Sequence, residues 1–194
     1  SVTIKGSIYN TQYVFTLSRD IYKKNSTDIK IKFKKLNAVI KNNFIKDQNK
    51  KNNYKGKAKI SFLGSEITTS YKILDQLITF QTEKSKLNNK SISFKGKINT
   101  TPFYYNVNIT LESINVRKLM ENLSSLKNLL DKKILLNKNF NGKIVFNIES
   151  LKEIKFFDEA TINLKTMNEK LILNNTAISS NKIGKVTFLD SNIE

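Results

Sequence analysis

Phe103-Tyr104-Tyr105-Asn106-Val107-Asn108-Ile109-Thr110-Leu111-Glu112 decides the fold of this chain. Phe103, Tyr105, Val107, Ile109 and Leu111 fall on one parity. Tyr104, Asn106, Asn108, Thr110 and Glu112 fall on the other. A period of two over ten residues is a β-strand with one apolar and one wet face.

The same alternation extends outward in both directions. Val2, Ile4 and Ile8 interleave with Thr3, Lys5 and Ser7; Ile29, Ile31 and Phe33 interleave with Lys30, Lys32 and Lys34. Tyr54, Ala58, Ile60 and Phe62 interleave with Lys55, Lys57, Lys59 and Ser61. Further strands are predicted near residues 12–19, 36–44, 66–73, 76–84, 90–98, 141–149, 156–166, 170–178 and 183–190. The segments between them, such as Lys86 to Lys90 and Asn99 to Thr101, are short and polar. Short polar connections predict hairpins, hence an antiparallel meander.

One segment breaks the pattern. Val116, Leu119, Met120, Leu123, Leu126 and Leu130 recur at steps of three and four, which predicts a short helical segment near 115–135, as one helix or as two broken near Ser124. Asn115 would cap its start, and Lys132 and Lys133 would complement the dipole at its end. The chain is therefore expected to be mainly β and to form a single segment of a longer protein: strands over 1–112, helix over 113–136, strands over 140–194. It opens on Ser1, with no charged stretch and apolar run of a signal peptide or membrane helix.

A short glycine pattern recurs at Ile4-Lys5-Gly6-Ser7-Ile8, Tyr54-Lys55-Gly56-Lys57-Ala58, Phe94-Lys95-Gly96-Lys97-Ile98 and Phe140-Asn141-Gly142-Lys143-Ile144. A degenerate copy is Ile183-Gly184-Lys185-Val186. The intervals are 50, 40, 46 and 42 residues, which predicts an irregular repeat of about three strands. In the full copies glycine shares parity with the apolar residues, so it leaves room on the apolar face or bends the strand.

The 194 residues hold no histidine, cysteine or tryptophan. His-based triads, thiol nucleophiles, cysteine zinc sites and disulfides are excluded. No phosphate loop or calcium loop occurs, and the adjacent carboxylates Asp158 and Glu159 would point to opposite faces. The expectation is a non-enzyme with no cofactor and no metal site. Net charge is +18, but only Arg19 and Arg117 are arginines, and bidentate reading of bases or phosphates favours arginine. No specific nucleic-acid partner is expected.

From Leu111 to Glu194 the order of parts resembles the AsmA-like family of bacterial envelope proteins. The resemblance runs through Leu111-Glu112-Ser113-Ile114-Asn115-Val116, a leucine-containing helix, and the glycine copy at Phe140. It continues through Phe156-Phe157-Asp158-Glu159-Ala160-Thr161-Ile162-Asn163-Leu164 and Lys170-Leu171-Ile172-Leu173-Asn174-Asn175. The turn Met167-Asn168-Glu169 lacks the glycine expected there. The resemblance implies a periplasmic segment of an inner-membrane-anchored protein whose long β-groove passes phospholipid toward the outer membrane and supports outer-membrane biogenesis. Membranes would then be met through regions outside these residues.

An apolar sheet face must be covered by a second layer or a ligand. As a curved, twisted β-groove, the chain would line its concave face with Ile31, Phe33, Ile60, Phe62, Phe94, Phe103, Tyr105, Val107, Ile109, Leu111, Phe146, Ile162, Leu164 and Phe188, holding acyl chains. Two alternatives stay open: a polyanion-binding module using the lysine face, and a structural β-sandwich or adhesin-like scaffold in which these residues are closed core.

Overall fold

The computed structural model describes residues 1–8, 11–19, 26–34, 36–47, 52–117 and 139–193. The chain is mainly β and divides into two compact units, Ser1–Ser93 and Phe94–Glu194.

The first unit holds β1 (Val2–Ile8), β2 (Thr11–Arg19), β3 (Ser26–Phe33), β4 (Ala38–Lys46), β5 (Asn53–Phe62), β6 (Ser65–Leu74), β7 (Leu77–Thr82) and β8 (Ser85–Leu87). β1 to β7 follow one another in strand order, every pair antiparallel, and β8 pairs β6. The turns explain the register. Leu63 and Gly64 between β5 and β6 both have positive φ, 42° and 75°, as a two-residue hairpin turn of matching twist requires. Asn88 and Asn89, at 49° and 64°, make the equivalent turn after β8.

β9 (Lys90–Thr100) contains the unit boundary. The second unit continues with β10 (Phe103–Leu111), β11 (Ile114–Asn115), β12 (Asn141–Ile148), β13 (Leu151–Lys152), β14 (Glu159–Met167), β15 (Lys170–Ser180) and β16 (Gly184–Ile193). Here the antiparallel expectation is corrected. β10 and β12 run parallel from Tyr104↔Asn141 to Leu111↔Ile148, and β11 and β13 form a second parallel pair. Residues 112–140 are long enough for the crossover that parallel strands need. The parallel register also sets like against like: Val107 faces Ile144, Ile109 faces Phe146 and Leu111 faces Ile148. Beyond β12 the order is β14, β15, β16, all antiparallel.

Val116 and Arg117 are helical. The rest of the predicted helix, from 118 to 135, lies outside the described residues. The strand expected to begin at 156 begins at Glu159 instead, and Phe156 is 64% exposed before it. Asn168 and Glu169 turn β14 into β15 with φ of 52° and 64°, the hairpin geometry without its glycine. A bulge interrupts the β14·β15 ladder between Thr161 and Leu164, where Asn175 takes φ 49° and the Asn163 amide N–H donates to Thr176 Oγ1 at 3.2 Å.

Within each unit, among the described residues, the strands pack almost wholly against their sheet neighbours, so each unit is one layer. The sandwich arrangement is not found inside either unit. Among the described residues no large side chain is fully buried.

Candidate functional site

Register converts the alternation of single strands into rows of side chains running across the sheet. In the first unit one row reads Ile4, Phe15, Ile31, Ile40, Ile60, Ile67 over six neighbouring strands. A second row sets Gly6 against Tyr13 and Tyr13 against Phe33. Where these rows meet, Ile4, Tyr13, Phe15, Ile31 and Phe33 line an open apolar depression of about 300 Å³. Ile31 and Phe33 were expected there. Ile4, Tyr13 and Phe15 were not, although the parity of Ile4 in the first strand carried a signal. Ile60 lies farther along the Ile31 row, 37% exposed, and Phe62 closes β5 opposite Ser65.

In the second unit, Val107, Ile144, Leu164 and Leu173 form one row, and Ile109, Phe146 and Ile162 another. Leu111, Ile148, Ala160, Ile178 and Val186 form a third. Phe188 on β16 faces Thr176 and is 46% exposed. Phe103 and Tyr105 join Phe140 in an aromatic cluster, with centroids 5.5 Å apart for Phe103 and Phe140 and 4.9 Å for Tyr105 and Phe140. Phe94 stands on β9, partly buried, on the side of its strand that carries Ile92 and Gly96. The expected residues thus divide into four in the first unit and ten in the second.

The glycine signature has a structural partner that the sequence pattern did not identify: a tyrosine. Gly6 faces Tyr13, Gly56 faces Tyr71 and Gly142 faces Tyr105. A Cβ at position 56 would stand 2.5 Å from the Tyr71 ring end, and one at position 142 would stand 2.5 Å from the Tyr105 ring and its carbonyl oxygen. The tyrosine ring occupies the space over the glycine that a side chain would take. Its hydroxyl then reaches the strand beyond. Tyr71 on β6 crosses Gly56 on β5 and donates to Asn42 Oδ1 on β4 at 2.9 Å. Tyr105 on β10 crosses Gly142 on β12, and its hydroxyl meets Thr166 Oγ1 on β14 at 2.6 Å. Burial pushes the Tyr105 phenol above its ordinary value of 10.0, and the Thr166 hydrogen bond opposes that.

These glycines sit on β1, β5 and β12, with Gly96 on β9, so the intervals are four strands, four and three, where an irregular repeat of about three was expected. Gly184 is different in kind. It opens β16 at φ 108° with open space where a Cβ would be.

The opposite face is cationic. Lys30, Lys41 and Lys59 stand in one row on three neighbouring strands, and Lys143 faces Lys165 in the second unit. Lysines directly opposite repel one another. Lys59 is relieved by Glu66 at 2.8 Å, and Lys57 by Glu83 at 2.7 Å. The bond from Lys57, then that from Ser70, holds the Glu83 carboxyl below its ordinary value. Among the described residues no cluster of three metal-binding side chains occurs, and no helix is long and apolar enough to cross a membrane.

Fold and faces together define a class, a mainly β chain whose units are single sheets with an apolar and a cationic side. No family model, curated protein or solved structure matches the chain.

Proposed function

We propose that this chain is a non-catalytic lipid-holding segment of a cell-envelope protein, in which the apolar face of the sheet binds phospholipid acyl chains and the head groups stay hydrated. The observation that supports this most is the incomplete cover of the apolar rows: their members on β1 and β16 are about half exposed and most of the others only partly buried, Ile148 and Ala160 excepted. Ile4 is 50% exposed and Val186 46%, while no large side chain in the described residues is fully buried. A soluble protein rarely leaves such a surface uncovered. An acyl chain needs only apolar contact and an open slot, and the depression between Ile4, Phe15 and Ile31 offers both. On this reading the protein works in the periplasm and is anchored to the inner membrane outside these residues.

Mass spectrometry of an organic extract of the purified chain tests the reading. Phospholipid should co-purify above the level of a blank and fall at least about tenfold in Ile31→Asp, because a carboxylate in the depression would have to be desolvated against an acyl chain. Lys41→Glu, on the other face, should keep its lipid. Lipid-free protein, or equal loading in Ile31→Asp, rejects the proposal.

The row Lys30, Lys41, Lys59 favours a second reading, a polyanion-binding face. That reading requires affinity for heparin or nucleic acid that drops steeply with salt and is lost in Lys41→Glu.

A further inference from the structure

The bulge on β15 lies beside a pair of opposed lysines on the cationic face of the second unit. Between the pairs Thr161↔Ala177 and Leu164↔Leu173, two residues of β14, Ile162 and Asn163, stand against three of β15, Asn174, Asn175 and Thr176. The extra residue brings a second carboxamide to the same spot. Asn175 holds it there at φ 49°, a conformation that asparagine adopts more readily than most side chains. Asn163 Nδ2 donates to the Asn175 carbonyl oxygen at 3.0 Å, and Asn175 Nδ2 donates to Asn174 Oδ1. Among the described residues, this leaves two acceptors, Asn163 Oδ1 and Asn175 Oδ1, and one donor, Asn174 Nδ2, open to a ligand.

Lys143 on β12 directly faces Lys165 on β14. Lys57 and Lys59 have glutamate partners, but among the described residues Lys143 and Lys165 have no ion pair. Two ammoniums on opposite residues repel each other, and an anion between them would relieve the pair. Tyr104 on β10, 40% exposed, adds an aromatic wall. Tyr104, Lys143, Lys165 and the three asparagines line one recess of about 340 Å³, and all of them belong to the second unit. That volume is at the low end for small-molecule sites and suits a ligand built on one sugar ring. Asp190 on β16 stands opposite Asn174, across β15 from the lysines, so the anionic end of a ligand belongs at β12 and β14.

We propose that this recess binds a free sugar phosphate, a pyranose ring carrying one phosphate monoester. The phosphate lies between Lys143 and Lys165, where its charge of about −2 matches two ammoniums. Ring hydroxyls meet the asparagine carboxamides, and the C–H face of the sugar rests on Tyr104. Phosphate alone would leave the carboxamides unused, and a neutral sugar would leave the lysines unrelieved. Opposed lysines also occur in the first unit, where Lys55 faces Lys72, but Asp47 lines that recess too and its carboxylate would oppose a phosphate. The proposed site lies on the wet face and the apolar rows on the other, so its occupancy is independent of bound lipid.

Isothermal titration calorimetry of the full 194-residue chain with glucose 1-phosphate, glucose and inorganic phosphate tests the proposal. Glucose 1-phosphate should bind at a single site, at least about tenfold more tightly than glucose or phosphate, since each of those makes only part of the contacts. Lys143→Ala and Lys165→Ala should each weaken it about tenfold, and Lys72→Ala should leave it unchanged. Asn175→Gly keeps the positive φ and removes the carboxamide. It should weaken glucose 1-phosphate about fivefold and leave the weaker binding of phosphate as it was. The methyl phosphodiester of the same sugar, the linkage by which a sugar phosphate is attached to a lipid or a polymer, should bind several-fold more weakly because it carries one charge less. Absence of saturable binding in the millimolar range, equal binding of inorganic phosphate, an equal loss in Lys72→Ala, or tighter binding of the diester overturns the proposal.

Discussion

The two units solve the same problem unequally. In the first, the buried residues are chiefly Ser26, Asn53, Ser65 and Ser85, with Ile92 the one buried hydrophobic among those described. In the second, Tyr105, Ile148, Ala160 and Ala177 are buried, and Phe140 packs on Phe103 and Tyr105 at the parallel pair. The second unit has gathered buried side chains at both ends of β12, Tyr105 at Gly142 and Ile148 with Ala160 six residues on. The first leaves its apolar rows open. In a single layer the cross-strand pairs carry the packing, and a glycine that admits an aromatic ring adds a point of close packing.

Substitution at the glycines should have the largest effects, and these divide by what a Cβ would meet. Gly142→Ala places a methyl against the Tyr105 carbonyl oxygen as well as its ring, and backbone cannot step aside; about 3 kcal/mol of stability should be lost, read by urea unfolding. Gly6→Ala meets only the movable end of Tyr13 and should cost under about 1 kcal/mol. Gly56, in the first unit, belongs with Gly142, because a Cβ there would lie 2.7 Å from the Asn43 carbonyl oxygen; equal costs at Gly6 and Gly142 would abolish the distinction between a glycine set against backbone and one set against a ring end.

Tyr105→Phe comes next. It strands the buried Thr166 hydroxyl and should cost about 1–2 kcal/mol, while Tyr71→Phe, half-buried, should cost about 0.5–1 kcal/mol. Tyr105 also sets an alkaline limit. Its raised value means the folded state holds the phenolic proton more tightly than the unfolded chain, so stability is unaffected below pH 10 and declines as pH rises beyond it. Unfolding curves from pH 8 to 11 should show this slope in the parent and a shallower one in Tyr105→Phe. The smallest effect belongs to Glu83. Its lowered value gives stability that is present above the ordinary carboxylate range and lost as pH falls through the folded value. Because the pair with Lys57 is exposed, Glu83→Gln should leave the melting temperature at pH 7 nearly unchanged and only flatten its acid decline.

Strand identity was legible because a period of two survives in most of the long strands, and the rows follow once neighbours are known. Neighbours were legible where a turn is short, as between β5 and β6. They were not legible across residues 112–140, where the same alternation suits a parallel or an antiparallel partner and only the long connection distinguishes them. The bulge at Asn175 was hidden because Lys170 to Ile178 reads as an ordinary strand. The depression in the first unit was half visible: Ile31 and Phe33 lie in the most regular alternation, whereas Tyr13 and Phe15 sit in Tyr13-Val14-Phe15, where both parities are apolar. The glycines were visible as a motif, but each tyrosine sits on a neighbouring strand, and only register brings the pair together.

The parallel pairing of β10 with β12 also sets an order of events in time. Adjacent strands in the first unit meet by closing short connections, an inexpensive step in chain entropy, whereas Val107 cannot meet Ile144 until the whole of 112–140 has been looped back. During refolding, amides of β5 and β6 should therefore gain protection ahead of those in β12. A chain emerging from synthesis would expose the row from Val107 to Leu111 until that loop closes.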